Sequence, residues 1–312
     1  MSEFSTPILL IAFNRIHTLE KVFQRIKQVE PTRLYIAVDG PRASKMPEEA
    51  HLVEEVIAYL KGAVTWRCKT EFLIRKENLG CKLGVSSAIT WFFENVEAGI
   101  ILEDDCVPET SFFKYCSELL DQYKGNNEVM MISGDQFASL DRLHDSYYFS
   151  VTPHIWGWAS WRRAWAKYDL QMQGWPACIG QIKAHASLPE RIWAKYKSYF
   201  DLTRANQIDT WDYQWVYSIW KNQGLVISPK INLISNIGFG NDATHTVDPE
   251  SIFSRMKTGS LPFPLIRPAD IKRDRASESK SYDLVYPPLS KRIVPAVKRR
   301  LKRLLSFGAS FF

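Results

Sequence analysis

Four short apolar runs in the first 105 residues each end in a polar turn, and helix-patterned stretches separate them. Pro7 to Phe13 runs into Asn14-Arg15, after which Thr18 is placed to cap a helix with an apolar stripe of Leu19, Val22, Phe23, Ile26 and Val29. Leu34 to Val38 is closed by Asp39-Gly40-Pro41, a turn with a carboxylate at its tip. Pro47 then opens a second helix that faces inward through Leu52, Val53, Val56, Ile57 and Leu60. Glu71 to Arg75 leads through Asn78-Leu79-Gly80 into a third helix carrying Ala88, Ile89, Phe92 and Phe93. Strands alternating with amphipathic helices predict an α/β fold: a mixed, mostly parallel sheet with right-handed crossovers and flanking helices.

The fourth run, Ile100 to Leu102, is followed at once by Glu103, Asp104 and Asp105, and Pro108 argues against further sheet pairing. Three adjacent anions repel one another and resist desolvation, so a bound cation or a cluster of ligand hydroxyls accounts for them at a strand's carboxyl end. In open α/β sheets ligands bind along that edge. A solvated acidic turn has the same composition, but the flanking strand and helix weigh against it. The same edge receives Asn14, Arg15, Asp39 and Lys82, a set along which a nucleotide fits. Neither GxGxxG nor GxxxxGK[ST] occurs, so a diphosphate there would be neutralised by metal and basic side chains.

The chain has 312 residues, 46% of them hydrophobic, enough for a sizeable core. No stretch approaches the roughly 20 apolar residues of a membrane span, and Met1 to Pro7 lacks the basic and apolar regions of a signal peptide. Cys68, Cys81, Cys106, Cys116 and Cys178 form no CxxC pair, which suits a reducing compartment. A cytoplasmic protein is expected. The net charge of +6 is concentrated: residues 289–312 hold seven Lys and Arg and no acid, leaving the rest at −1. A nucleic-acid surface would spread its basic residues over the fold, so that partner is not expected. In the tail, Ile293, Val297, Leu301, Leu304 and Leu305 recur at helical spacing opposite the cations. That pattern fits an interfacial helix on anionic lipid, peripheral to the inner face of the membrane, and equally a helix packed on the body with a solvated basic face.

ILEDDCVPETSFFKY, preceded by NLGCKLGVSSAITWFF and by the opening PILLIAFNR, resembles the donor-binding half of the GT-A glycosyltransferases. The likeness is greatest to N-acetylglucosaminyltransferase I and to bacterial nucleotide-diphospho-sugar transferases of that plan. It is good over roughly residues 5–135 and patchy to about 245. The resemblance implies that Asp105 ligates a divalent metal, Mn²⁺ or else Mg²⁺, bridging the diphosphate of a nucleoside diphosphate sugar. It implies further that Asp104 contacts ribose or metal-bound water, Glu103 the transferred sugar, Arg15 the diphosphate and Asp39 the nucleobase, uracil in the relatives. Where those relatives carry a base-contacting His, this chain has Gly84 or Val85, which leaves the nucleobase open.

Nine of the eleven tryptophans lie between residues 156 and 220. Most read as core: Trp161, Trp165 and Tyr168 share one helical face, as do Trp211, Trp215 and Ile219. His154 to Ser160 reads instead as a loop in which Trp156 and Trp158 flank Gly157, and flat rings with polar tips suit a donor-sugar or acceptor pocket as well as a core. In Asp209-Thr210-Trp211-Asp212, Thr210 or Asp209 is the expected cap, placing Asp212 in a first helical turn. Inverting sugar transfer needs a base beside the acceptor hydroxyl. In the relatives a Trp-Asp segment carries it, which nominates Asp212, with Asp209 in reserve. By the same resemblance His245, in the loop Asn236 to His245, is a late metal or phosphate ligand. The expected organisation is a donor half, 1–135; an acceptor and catalytic half of the same domain, 136–248; a wrapping segment or linker, 249–288; and the tail, 289–312. The expected activity is inverting, metal-dependent transfer from a nucleotide sugar to a glycan or lipid-linked acceptor of the cell envelope. A nucleotidyltransferase usually carries a Gly-rich loop after its first strand, which FNRIHTLEK lacks, and a non-catalytic sugar binder leaves the acidic triplet without purpose.

Overall fold

A computed structural model describes residues 3–239 and 252–287. Its elements, in order, are β1 (Ile8–Ala12), α1 (Ile16–Val29), β2 (Arg33–Val38), α2 (Glu48–Ala63), β3 (Lys69–Ile74), α3 (Gly80–Asn95), β4 (Ala98–Glu103), β5 (Cys106–Pro108) and α4 (Thr110–Gln122). There follow β6 (Val129–Ser133), β7 (Tyr147–Ser150), β8 (Trp158–Trp161), α5 (Arg162–Trp165), α6 (Ile179–Ala186), α7 (Glu190–Arg204), α8 (Asp212–Lys221), β9 (Leu225–Pro229), β10 (Ile234–Asn236) and α9 (Arg275–Val285). The main sheet has eight strands in the order β3-β2-β1-β4-β8-β6-β9-β7. β3, β2, β1 and β4 are parallel; β8 runs antiparallel between β4 and β6, and β7 antiparallel to β9. The mixed, mostly parallel α/β sheet read from the alternation is the one present.

The first strands are continuously apolar because helices cover both faces. Along β1, Ile8 and Leu10 point into a core with Leu19, Val22, Phe23 and Ile26 of α1 and Val53, Val56 and Leu60 of α2. Leu9 points the other way, toward Ile89 and Phe92 of α3 and a core rich in indoles. There Trp158 stacks on Trp211, ring centroids 5.6 Å apart and planes 18° from parallel. Buried indole N–H groups find acceptors: Trp220 donates to the Val151 carbonyl at 2.6 Å and Trp165 to Thr90 Oγ1 at 3.0 Å. The last described segment returns over β7. Asp274 caps α9, Glu278 accepts from Val151 N at 2.7 Å, and Ser281 donates to Gln136 at 2.6 Å.

Several local expectations are corrected. Trp158 to Trp161 is strand, not loop or helix, because the gap between β4 and β6 can be filled only by an extended segment that pairs on both sides. Thr18 lies inside α1 and donates to the Arg15 carbonyl at 3.1 Å, Arg15 itself being the cap position. Pro108 does not end pairing: it closes β5, which pairs with β10 in a two-stranded ribbon where no further strand asks for its missing N–H. Among the described residues no helix is long and apolar enough to cross a membrane. His245 and the basic stretch 289–312 lie outside the described residues.

Gly157, just before β8, has φ +69°, and a Cβ there would stand 2.7 Å from Ile234 Cδ1 and 3.1 Å from Leu102 Cδ2. Gly157→Ala should therefore cost about 1–3 kcal/mol and lower the thermal midpoint by several degrees. An unchanged melting curve would show that this turn is not the constraint it is taken for.

Candidate active site

The chain leaves β1 for β2 and β3 on one side and returns to β4 on the other, so β1 and β4 bound a topological switch point. In such sheets the crevice beyond the carboxyl ends at that point receives ligands. Ile11 pairs with Glu103, so Phe13 to Arg15 and Glu103 to Asp105 emerge there side by side. Arg15 has its backbone fixed at the start of α1, where its carbonyl accepts from Leu19 N at 3.1 Å. Its Nη2 donates to Asp104 Oδ1 and, at 2.9 Å, to Asp105 Oδ2. Asp104 also accepts from Phe13 N at 3.4 Å. Expected beside a diphosphate, Arg15 thus bridges two members of the triplet, while its Nε and Nη1 bond to no described residue.

Burial disfavours the charged forms in this cluster. It raises the Glu103 carboxyl to about 8, helped by Asp105 and Asp104 and opposed by Arg15, with Asp212 adding a further upward push. Asp104 is raised to about 6, again by burial first, with Arg15 opposing. For Arg15, burial alone would lower the pKa, but Asp104 and Asp105 outweigh it and hold the guanidinium charged. Asp212, at the first position of α8, accepts from Thr210 Oγ1 and from Tyr213 N at 2.9 Å. The charges of Glu103 and Asp212 converge on the Cys81 thiol, whose pKa burial and these neighbours push up. Glu103 and Asp212, 109 residues apart in sequence, therefore share one electrostatic environment.

The covering loop is equally close. Ile237 N donates to the Asp105 carbonyl at 2.9 Å, and a Cβ on Gly238 would lie 2.0 Å from Asp105 Oδ2. Cys106 Sγ donates to Asp105 Oδ1 at 3.3 Å. Among the described residues no three His, Cys, Asp or Glu side chains are grouped to hold a metal ion by themselves. The donor set nevertheless fits a hard divalent cation. Carboxyl oxygens outnumber the single guanidinium, and an ion on Asp105 would complete its shell with phosphate oxygens and water, as Mg²⁺ sites commonly do.

No protein-family model matches the chain, and no curated protein aligns with it significantly. Solved structures with partial similarity include HddC from Yersinia pseudotuberculosis, 12% identical over 51% of this chain and 77% of that one, TM-score 0.32. The glycosyltransferase GlyE of Streptococcus pneumoniae is 12% identical over 72% of this chain and 45% of that one, TM-score 0.33. A UDP-glucose pyrophosphorylase is 7% identical over 72% and 90%, TM-score 0.36. Overlaps at this level assign no chemistry here, and the residues of the crevice must carry it.

The other nominated residues take the following places. Asp39, at the end of β2, accepts from Gly40 N at 3.1 Å and from Leu79 N at 3.1 and 3.2 Å, and Gly84 leaves it room against α3. Burial raises its pKa despite those bonds. Asn14 donates to Glu49 Oε1 at 3.1 Å, within the pair that Glu49 forms with Arg42. Lys82 Nζ donates to Asn206 Oδ1 at 2.8 Å and pairs with no carboxylate of the triplet. Asp209, the reserve base, is an exposed cap for a different helix. Its oxygens accept from Cys81 N and Lys82 N at 3.0 and 3.1 Å, N–H groups that α3 cannot satisfy within itself. Trp158 is 1% exposed, hence core rather than pocket. Trp156 remains half-buried at the sheet edge. Asp135, separated by two residues from the apolar run Val129 to Ile132, stands at a strand end much as Asp39 and Glu103 do.

A carboxyl whose folded pKa lies above its unfolded value near 4.3 binds its proton more tightly in the fold. Stability from Glu103 is therefore complete below about pH 4 and is lost as pH climbs toward about 8. Glu103→Gln should remove that loss, so that its stability relative to wild type improves by up to about 1.4 kcal/mol per pH unit across the window. Urea titrations of both proteins from pH 4 to 8 check this, and parallel pH profiles would sink it.

Proposed function

We propose that the protein is an inverting glycosyltransferase that moves a sugar from a nucleoside diphosphate, uridine diphosphate by preference, to a glycan or lipid-linked acceptor. The observation that carries this reading is the meeting of the carboxyl groups of Glu103, Asp104 and Asp105 at the end of β4, the Arg15 guanidinium at the start of α1 and the Asp212 carboxyl at the switch-point crevice. A buried carboxyl with a raised pKa and specific charged neighbours in a crevice is the kind of group found at functional sites.

In this reading the nucleoside lies along the β1–β2 edge beside Asp39, and the Nε and Nη1 of Arg15, which bond to no described residue, face the diphosphate. Glu103, raised to about 8, is protonated at neutral pH and donates a hydrogen bond to a hydroxyl of the transferred sugar. Asp212 accepts the proton of the acceptor hydroxyl as that oxygen attacks the anomeric carbon. The bond to the diphosphate breaks with its electron pair, and Arg15 stabilises the charge left on phosphate. Mn²⁺ or Mg²⁺ held by Asp105 would supply further compensation for that charge. The basic stretch 289–312 supports an acceptor presented at an anionic membrane surface, as in envelope glycan assembly.

Labelled nucleotide sugars with Mn²⁺ test the reading. Slow donor hydrolysis is expected of a transferase; pyrophosphate-dependent reversal would point to a nucleotidyltransferase, and silence to a binding protein. Asp212→Asn should lower turnover by about 10²–10⁴-fold while UDP affinity holds; full turnover in that variant removes Asp212 from the mechanism. Asp105→Ala should abolish the Mn²⁺ dependence of UDP binding seen by calorimetry, and wild-type behaviour there dismisses Asp105 as the ligand.

A further inference from the structure

A second polar pair stands on the same sheet edge, on the side of β4 away from β1 to β3. Asp135 follows β6, two strands beyond β4, and is 1% exposed. Its Oδ1 accepts from Trp156 N at 3.2 Å, but Oδ2 has no hydrogen-bond partner among the described residues. The group nearest to meeting that need is His154 Nδ1, 3.7 Å from Oδ2 and 3.3 Å from the Asp135 carbonyl oxygen. His154 Nε2 bonds to no described residue. An isolated buried carboxyl oxygen is costly, and a fold that keeps one beside an imidazole has a reason to hold that ring in place.

The surroundings are aromatic. The Phe137 ring lies 4.6 Å from that of His154, with Trp156 at 5.2 Å and Phe253 at 5.1 Å from Phe137 in edge-to-face contact. Phe239 meets Trp156 at 5.9 Å and follows Gly238, the residue pressed on Asp105. Cys106, whose Sγ donates to Asp105, is also within electrostatic reach of Asp135, whose own carboxyl burial pushes well up. The aromatic wall is thus continuous with the acidic crevice, on the side opposite the nucleoside edge. Burial lowers His154 to about 4, so its imidazole is neutral at pH 7 and offers a hydrogen bond rather than a charge.

We infer that His154, held by Asp135, binds a hydroxyl of a pyranose ring whose C–H face lies on Trp156. Half-buried rings beside one uncharged hydrogen-bonding tip match that chemistry. The inference rests on the transferase reading and gives it a sugar subsite, in which the backbone carbonyl of Asp135 positions the ring. The ring belongs to the acceptor or to the transferred sugar, and the experiment separates them.

Saturation-transfer NMR on the full chain provides the test. The acceptor probes are methyl glycosides of glucose, galactose and N-acetylglucosamine in the presence of UDP, and the donor probes are the matching UDP-sugars. His154→Ala and Trp156→Ala should weaken sugar binding about tenfold, the worth of one lost hydrogen bond or ring contact. Uridine signals should persist. His154→Gln, which restores a hydrogen-bonding tip, should recover part of it, a recovery that a purely structural role would not give. Loss among the methyl glycosides assigns the ring to the acceptor, and loss confined to the UDP-sugar ring protons assigns it to the donor. Sugar binding that survives in every variant overturns the subsite and leaves the transferase reading standing. Glycoside binding through His154 without any UDP binding keeps the subsite and removes that reading.

Discussion

Everything at the crevice depends on how one guanidinium balances three carboxyl groups beyond the ends of β1 and β4. Two strands brought into register by Ile11 and Glu103 force those groups together, and half-burial leaves little solvent to separate their charges. The protein answers in two ways. It supplies Arg15 from a backbone fixed at the start of α1, and it lets Glu103 keep a proton that an exposed glutamate would lose. A site in this state has surplus anionic oxygen and a poised acid, conditions under which a phosphate-bound cation and a sugar hydroxyl are both welcome.

The indole core is the mechanical complement of that charge balance. Trp158 from β8 and Trp211 from the entry to α8 stack face to face, and this contact carries Asp212 toward the end of β4. Asp209, four residues upstream of Tyr213, ties the same entry to the first turn of α3. The tryptophan-rich half therefore acts at the site mainly by fixing the start of one helix from two directions. Half-buried Trp156, at the sheet edge, is the exception among its neighbours.

The fold was largely legible, because strands covered on both faces read as unbroken apolar runs and the helices between them as stripes. Legibility failed where pairing partners decide conformation. Nothing local distinguishes Trp158 to Trp161 from a helix start; its extended form follows from hydrogen bonds to β4 and β6. Likewise Asp209 and Asp212 look alike as candidate bases three residues apart, and only the approach of α3 engages the first and leaves the second near Glu103. Asp135 stands just past a strand much as Asp39 does, yet its significance lies in an oxygen with no partner among the described residues, which no sequence displays.

By itself the order of residues determined that alternating strands and helices would form a mostly parallel sheet and that Arg15, Asp39 and the acidic triplet would gather on one edge. Periodicity and chain direction require both. Tertiary structure alone decided which charges touch, which indoles are core, and which carboxyl oxygen lacks a partner among the described residues. Those outcomes depend on distances between segments some hundred residues apart, set by packing rather than by any local preference.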